Sequence, residues 1–541
     1  MRPAAIFVLA LSVFAQPLFT AGQNLSQQVD RIFAPFNRPG SPGCSLGVIR
    51  DGGFIYRKSY GDASLELGVP LSSQSVFYAG SISKQFTAAS VVLAAEQGYL
   101  SLDDDVRKYV PELPDYGHTI TLRQMLNQTS GLRDLFDLLS LSGLNWADFN
   151  SPGDILNLIV RQKGLNNAPG AEWVYSNTNF FLLGMVVQRA THKPLAEFAA
   201  ENIFRPLGMT HSRFYDDASV VVPDRVAAYD PGPNGAFLVD WSTTYSLVGA
   251  GGLMTSVDDL LKWDNNFYTN RLGKGTLLRE LETPGVLNDG KLTDYGMGLF
   301  LGKYRGLPVV EHNGVLFGYR TEILRFPNQK FSVVCLCNLS SANPQDRAHN
   351  VADLYLKDDM QPDSAPAAGQ NLPDPALFAG DYLDPRTHAI DSFTAAHGQL
   401  SGWGSVLQRK NANRFYDRFG DVLSFQPSGS SMDATLDVNG ETVFAGTRIR
   451  QLHLDAAALQ PFAGEYRSPE LNGSWHLSLE QGDLILGNGA NPPLQLFPIA
   501  RDEFEAGGSL VLVFQRDANG MVTGLSAFAP SARGIRFNRS R

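Results

Sequence analysis

Ser81 and Lys84 stand in Ser81-Ile-Ser-Lys84, directly behind Phe77-Tyr-Ala-Gly80. On a helix, residues at i and i+3 share a face, so the amine would lie within reach of the hydroxyl. If Ser81 opens that helix, the unpaired N–H groups and the positive dipole end lie beside it. That environment favours negative charge developing on an acyl oxygen. The pair therefore has the makings of a serine nucleophile with an amine as base. By itself the pattern equally describes an N-cap serine followed by a surface lysine, and taken alone that blander reading is preferred.

Two further stretches carry usable groups. Tyr175-Ser-Asn177 precedes the helical run Phe181-Leu-Leu-Gly-Met-Val-Val187. A phenol relays protons if a cation lowers its pKa, and an amide holds both a nucleophile and a substrate. Alone, the stretch reads as an aromatic anchor with a helix cap. His312-Asn-Gly314 follows the strand Leu307-Pro-Val-Val-Glu311 and precedes Val315-Leu-Phe-Gly318. Gly314 would let a substrate backbone approach the strand edge. Alone, this stretch reads as a strand-end turn with an exposed His. A lysine acts as a base at neutral pH only if its pKa falls by ~3 units, roughly 4 kcal/mol against its charged form. Burial and a nearby positive end do that, so the groups must be brought into one cleft.

The elements that must do the positioning are legible. Ser45-Leu-Gly-Val-Ile49, the turn Arg50-Asp-Gly-Gly53 and the return Phe54-Ile-Tyr-Arg57 form a hairpin. A helix runs from about Ser81 to Gln97 and stops at Gly98, with Phe86, Ala89, Val92 and Ala95 at helical spacing. Gly318 to Phe326 and Phe331 to Cys335 flank Pro327-Asn-Gln-Lys330 as a second hairpin. Strands near both ends with helices between predict one antiparallel sheet closed by distant parts of the chain. Beyond residue 374 the chain is β-rich and repeats itself. Phe378-Ala-Gly-Asp-Tyr382 matches Phe462-Ala-Gly-Glu-Tyr466, His397-Gly-Gln-Leu400 matches Gln481-Gly-Asp-Leu484, and Leu423-Ser-Phe-Gln426 matches Leu512-Val-Phe-Gln515. Each repeat reads as a barrel or curled sheet that would bury its own edges. Trp403 and Trp475 fall in these repeats and read as core rather than as glycan platforms.

Composition sets the outer limits. At 541 residues the chain needs two or three domains. Hydrophobic residues at 43% and charged residues at 18% exclude wholesale disorder. A net charge of −10 with scattered Lys and Arg gives no nucleic-acid footprint. Arg2, the apolar Ala4 to Ala15 and the small residues Thr20-Ala21-Gly22 read as a signal peptide cleaved near Gly22, which implies a periplasmic or secreted protein. No later segment is apolar over the ~20 residues a span requires. Cys335 and Cys337 share one face of a buried strand and read as small core hydrophobes rather than a metal pair. A disulfide from Cys44 to either is open but not favoured. The nine His residues are dispersed, so no metal and no cofactor are called for.

In order and spacing the three motifs resemble those of the serine β-lactamase and penicillin-binding-protein superfamily. They are most similar to its class C and D-aminopeptidase/esterase branch, which accepts H-x-G where others carry K-T-G. Leu126-Asn-Gln-Thr-Ser-Gly-Leu132, Asn202-Ile-Phe-Arg-Pro-Leu-Gly-Met209 and Ala250-Gly-Gly-Leu-Met-Thr-Ser256 also resemble landmarks of that family. The resemblance implies an α+β chain: a β-lactamase/transpeptidase-like domain, with a helix-flanked antiparallel sheet and a helical subdomain, then two small all-β, barrel-like repeat domains. The expected divisions are a leader at 1–22, the hydrolase domain at 23–357, a linker at 358–374, and accessory β-domains at 375–457 and 458–541.

The resemblance also assigns roles. Ser81 would attack a carbonyl and become acylated, and Lys84, Tyr175 or both would take its proton. Asn177 would orient Lys84 and substrate, and the amides of Ser81 and Val315 would form an oxyanion hole. With His312 in the third motif, mostly neutral and a weak carboxylate partner, weight shifts from β-lactams and peptide C-termini toward small peptides, D-amino-acid amides or esters. Arg320 is a cation in the neighbourhood but reads as a solvated strand residue. The alternatives are a class C-like β-lactamase or D-Ala-D-Ala carboxypeptidase, and a non-catalytic envelope sensor that keeps the fold. The expected partners are a small-molecule, peptide or ester substrate and no nucleic acid, with oligomeric state open.

Overall fold

The computed structural model describes residues 17–144, 151–240, 247–362, 372–417, 421–438, 441–489 and 491–540. Most of the expected leader and the middle of the expected linker lie outside the described residues. At the near end of the description, helix α1 (Pro17–Ile32) runs across the expected cleavage position. Among the described residues no helix is long and apolar enough to cross a membrane.

One six-stranded antiparallel sheet organises the large domain. Its strands are β1 (Cys44–Arg50), β2 (Gly53–Tyr60), β3 (Phe300–Tyr304), β4 (Leu307–Leu316), β5 (Tyr319–Phe326) and β6 (Phe331–Cys337), in the order β3-β4-β5-β6-β1-β2. Both hairpins expected from the sequence are present, and β6 joins them by pairing with β1 along its whole length. All seven residues of β6 are buried, as a strand covered on both faces requires. One face packs on helices α2 (Ser83–Glu96), α4 (Asn177–Thr191) and α5 (Val257–Thr269), and the other on α1 and α6 (Pro344–Leu356). The short α3 (Leu135–Ser142) belongs to the helical subdomain that closes over α4.

Register corrects the reading of the cysteines. Cys44 and Cys337 face each other directly across β1 and β6, and they form a disulfide. Cys335 alone remains a buried thiol, its Sγ 3.7 Å from that of Cys337. The core-hydrophobe reading holds for Cys335 and fails for Cys337, and the disulfide that was open but not favoured is the one formed.

The repeats form two closed, eight-stranded antiparallel barrels, from Gly380 to Arg448 and from Gly464 to Arg539. The repeated motif does the same work in each. Tyr382 hydroxyl donates to Phe378 carbonyl at 2.9 Å, and Tyr466 hydroxyl to Phe462 carbonyl at 2.8 Å. Each tyrosine also sits where the first strand closes on the last, opposite Arg448 or Arg539. The barrels differ in their cores. The interior of the first is a separate apolar cluster, whereas that of the second is continuous with the large domain. Trp475 is buried and donates its indole N–H to Leu141 carbonyl at 2.8 Å.

Candidate active site

The site begins at Gly80, whose φ of +55° is left-handed and suits glycine. An ideal Cβ there would come within 2.7 Å of the Val315 amide nitrogen. Gly80 thus opens a tight 3-10 turn, Gly80–Ile82, that lays Ser81 against β4 and leads into α2. α2 is buried on every side from Ser83 to Ala94, so it is a rigid central post rather than a surface helix.

Lys84 is fully buried on that post. Its Nζ donates to Ser81 Oγ at 3.0 Å, to Asn177 Oδ1 at 2.9 Å and to Ala250 carbonyl at 2.8 Å. Burial drives its pKa down from the ordinary lysine range to about 7, against the opposing pull of the Asp134 carboxylate. A largely buried Tyr175 places its ring centroid 4.8 Å from the same Nζ, and its phenol lies against the Ser81 side chain. Burial raises the Tyr175 pKa, and the contact with Ser81 only partly offsets this. The amine is therefore the group readily deprotonated near neutrality, and the phenol keeps its proton.

His312 is not the exposed turn residue that its stretch suggests when read alone. It lies inside one continuous strand, β4, and is buried rather than exposed at a turn. Its rings of contact are Phe300, Tyr295 and Tyr175, at centroid distances of 5.0, 5.9 and 6.3 Å. Nδ1 lies 2.7 Å from the Asn313 carbonyl, which only accepts, so Nδ1 carries the hydrogen. Nε2 then accepts from the Tyr295 hydroxyl at 3.1 Å. Burial, then the nearby Lys84 charge, pull its pKa down to about 3, so the imidazole is neutral.

Gly314 makes a close approach of its own. An ideal Cβ would fall 2.1 Å from Ala79 carbonyl and 2.3 Å from Thr321 Oγ1. The missing side chain lets β4 close on the Ser81 turn. β3 pairs with β4 only through Glu311, so the stretch from His312 to Leu316 has the Ser81 turn beside it in place of a neighbouring strand. Val315 is exposed there and borders a cavity of about 300 Å³ with Asn313, Arg320, Asn343 and, from the first barrel, Trp403. Arg320 is half-buried and donates to the Phe317 and Tyr319 carbonyls rather than standing in solvent.

Four groups that sequence reasoning passed over complete the site. Asp134 Oδ2 accepts from the Asn177 amide N–H and from its Nδ2 at 2.9 Å. Ala250 contributes only a carbonyl, and Tyr295 fixes His312. Trp173 stands at the rim, partly exposed, 5.9 Å from Tyr295 and 6.3 Å from Phe300. Two of these lay close to motifs already noticed. Asp134 follows Leu126–Leu132 by two residues, and Ala250 opens its own landmark. In the first of these stretches Gln128 Oε1 accepts from the Ser176 amide at 3.0 Å and Asn179 Nδ2 at 2.7 Å, which fixes the start of α4 beneath Tyr175.

The chain is similar to known proteins over most of its length. A sequence model of the Beta-lactamase family matches residues 29–356. A D-aminopeptidase of Brucella canis is 28% identical over 523 residues, covering 92% of this chain and 96% of that one. The octameric penicillin-binding protein homologue from Pyrococcus abyssi covers 87% of this chain and 98% of its own, at 20% identity and a TM-score of 0.56. The D-amino acid amidase from Ochrobactrum anthropi, solved with L-phenylalanine amide, covers 62% and 99%, at 22% identity and a TM-score of 0.52.

Proposed function

The chain belongs to the Beta-lactamase family of serine hydrolases, and from that premise we propose that it is an exported D-aminopeptidase or D-amino-acid amidase working through an acyl-enzyme. The observation that carries the mechanism is a buried amine, 3.0 Å from a serine hydroxyl, with its pKa near 7. In this reading Ser81 Oγ adds to the scissile carbonyl carbon while its proton passes to Lys84 Nζ. The amides of Ser81 and Val315 hold the oxyanion. The C–N bond then breaks, and the leaving amine takes a proton relayed by Lys84 through the Tyr175 phenol. Water attacks the resulting ester with Lys84 again as base, and the acid departs from Ser81.

The choice of substrate rests on two supports. The Brucella canis relative named D-aminopeptidase aligns over 92% of this chain. The neutral, buried His312 offers no cation for a substrate carboxylate, which counts against β-lactams and peptide C-termini. Export rests on the leader composition alone, and amino-terminal sequencing of the protein recovered from the cell envelope tests it.

Intact-mass analysis after treatment with a fluorophosphonate, on wild type and Ser81→Ala, tests the mechanism. One adduct is expected on Ser81 and none on the variant. A panel of D- and L-amino-acid p-nitroanilides, p-nitrophenyl esters and a chromogenic cephalosporin tests the substrate. Turnover of the D-anilides should lead, and a preference for the cephalosporin would overturn the assignment.

A further inference from the structure

The second barrel reaches the base by a chain of hydrogen bonds. The strands Val522–Ala529 and Ala532–Arg539 are joined by a turn that docks on the N-terminus of α3. Ser531 carbonyl accepts from the Asp134 amide at 2.7 Å, and the Ser531 amide donates to Asp137 Oδ2 at 2.7 Å. Asn166 clamps the same turn, its Nδ2 2.8 Å from Ser531 carbonyl and its Oδ1 2.9 Å from the Arg533 amide. On the other side Asp134 holds Asn177, and Asn177 holds Lys84.

Asp134 and Asp137 stand i and i+3 at the start of one helix, where side chains face each other. Asp134 receives four N–H donors, two from Asn177 and one each from the amides of Phe136 and Asp137. Asp137 receives one, from Ser531, among the described hydrogen bonds. Burial raises both carboxyls, and a second charge would sit beside the first. Such a pair resists carrying two charges, and the donor count favours the negative charge on Asp134. The burial of Asp137 and the Asp134 charge push it up to about 7. The charged groups around the pair are otherwise matched. Lys84 faces it from α2 and the Tyr175 phenol from ahead of α4, while Arg133 is paired with Glu470 at 2.7 Å and Arg533 with Glu172 at 3.0 Å.

We propose that Asp134 and Asp137 are a charge-coupled pair of positioning residues, clamped by the Ser531 turn of the second barrel, that tunes the charge state of Lys84 through Asn177. The proposal rests on Lys84 acting on Ser81, as above. When Asp137 loses its proton, a second negative charge near Lys84 favours the ammonium form and delays generation of the base.

The test is the pH dependence of fluorophosphonate labelling of full-length protein, wild type against Asp137→Asn. The isosteric amide stands for a permanently protonated Asp137. The midpoint of the labelling rate should move to lower pH, by roughly half a unit to one unit, because a nearby negative charge has been removed. Superimposable profiles would overturn the inference. A failure of both proteins to label Ser81 would instead overturn the mechanism beneath it. A second readout is independent of folding efficiency. The infrared difference spectrum of wild type between pH 6 and 8 should contain a protonated-carboxyl band that Asp137→Asn lacks, and its persistence in the variant also counts against the proposal.

Discussion

Lys84 is fully buried and donates three hydrogen bonds, and the direction in which its pKa moves fixes how the enzyme should respond to pH. Burial disfavours the ammonium ion, so the amine is released near pH 7 instead of near 10. Below that point the base is protonated, and kcat/KM for a D-amino-acid anilide should fall about tenfold per unit. Above it the rate should level off, because the raised pKa of Tyr175 keeps the phenol intact through the assay range. A rate that stays flat down to pH 5 would remove Lys84 from the role of base. Substitution by Met keeps much of the bulk and deletes the amine, and Lys84→Met should lower fluorophosphonate labelling by a factor of roughly 10²–10⁴. His312 permits a companion prediction. Its Nε2 accepts from Tyr295, so His312→Phe leaves that hydroxyl buried without its acceptor and should cost about 1–3 kcal/mol in thermal or denaturant unfolding.

The elements matter because they place backbone atoms that no side-chain reading identifies. Gly80→Ala would force a β-carbon into a left-handed residue and toward the Val315 nitrogen. About 1–2 kcal/mol of strain is expected from the conformation alone, and displacing an oxyanion donor should lower kcat by about 10²–10³. Gly98 is the internal control, left-handed at φ +84° with open space around it. Gly98→Ala should lose similar stability and keep its rate, so equal kinetic losses in the two variants would show that the Gly80–β4 approach has no catalytic part. The same contrast explains what the sequence made legible. Ser81 with Lys84, and Tyr175 with Asn177, are local spacings on one helix start or one loop, and spacing is written in the chain. The hairpins and barrels were legible for the same reason, from alternation, turn residues and repeats. The Cys44–Cys337 bridge depends on the register between strands 293 residues apart, which alternation does not encode. Gly314 announces a close approach without saying that the Ala79 carbonyl and the Thr321 hydroxyl are what come close. Asp134 and Tyr295 were passed over because each acts on a group from another element, and Ala250 because it acts through a carbonyl that every residue possesses.

At the scale of the whole molecule the two barrels are held by different physics. The first has its own closed core and touches the rest through contacts such as Arg386 to Glu172 at 2.9 Å, an exposed ion pair worth at most about 1 kcal/mol. The second shares one continuous apolar core with the large domain and adds polar bonds that are out of water, including Trp475 to Leu141 carbonyl. Among these is the Arg133–Glu470 pair, with side chains 6% and 4% exposed. Glu470 also accepts from the Lys163 amide at 2.7 Å, so it ties two segments of the helical subdomain to the barrel. Calorimetry of the full chain should therefore resolve two cooperative units rather than three, with the first barrel melting apart from everything else. Glu470→Leu discriminates between them. It strands a buried guanidinium beside Asp134 and should destabilise the larger unit by about 3–5 kcal/mol, leaving the transition of the first barrel where it was. Because Arg133 adjoins the residue that holds Asn177, the same substitution should lower kcat more than it raises KM. Three separate transitions in the wild type, or a loss confined to the second barrel in the variant, would mean that the shared core does not couple that barrel to the catalytic centre.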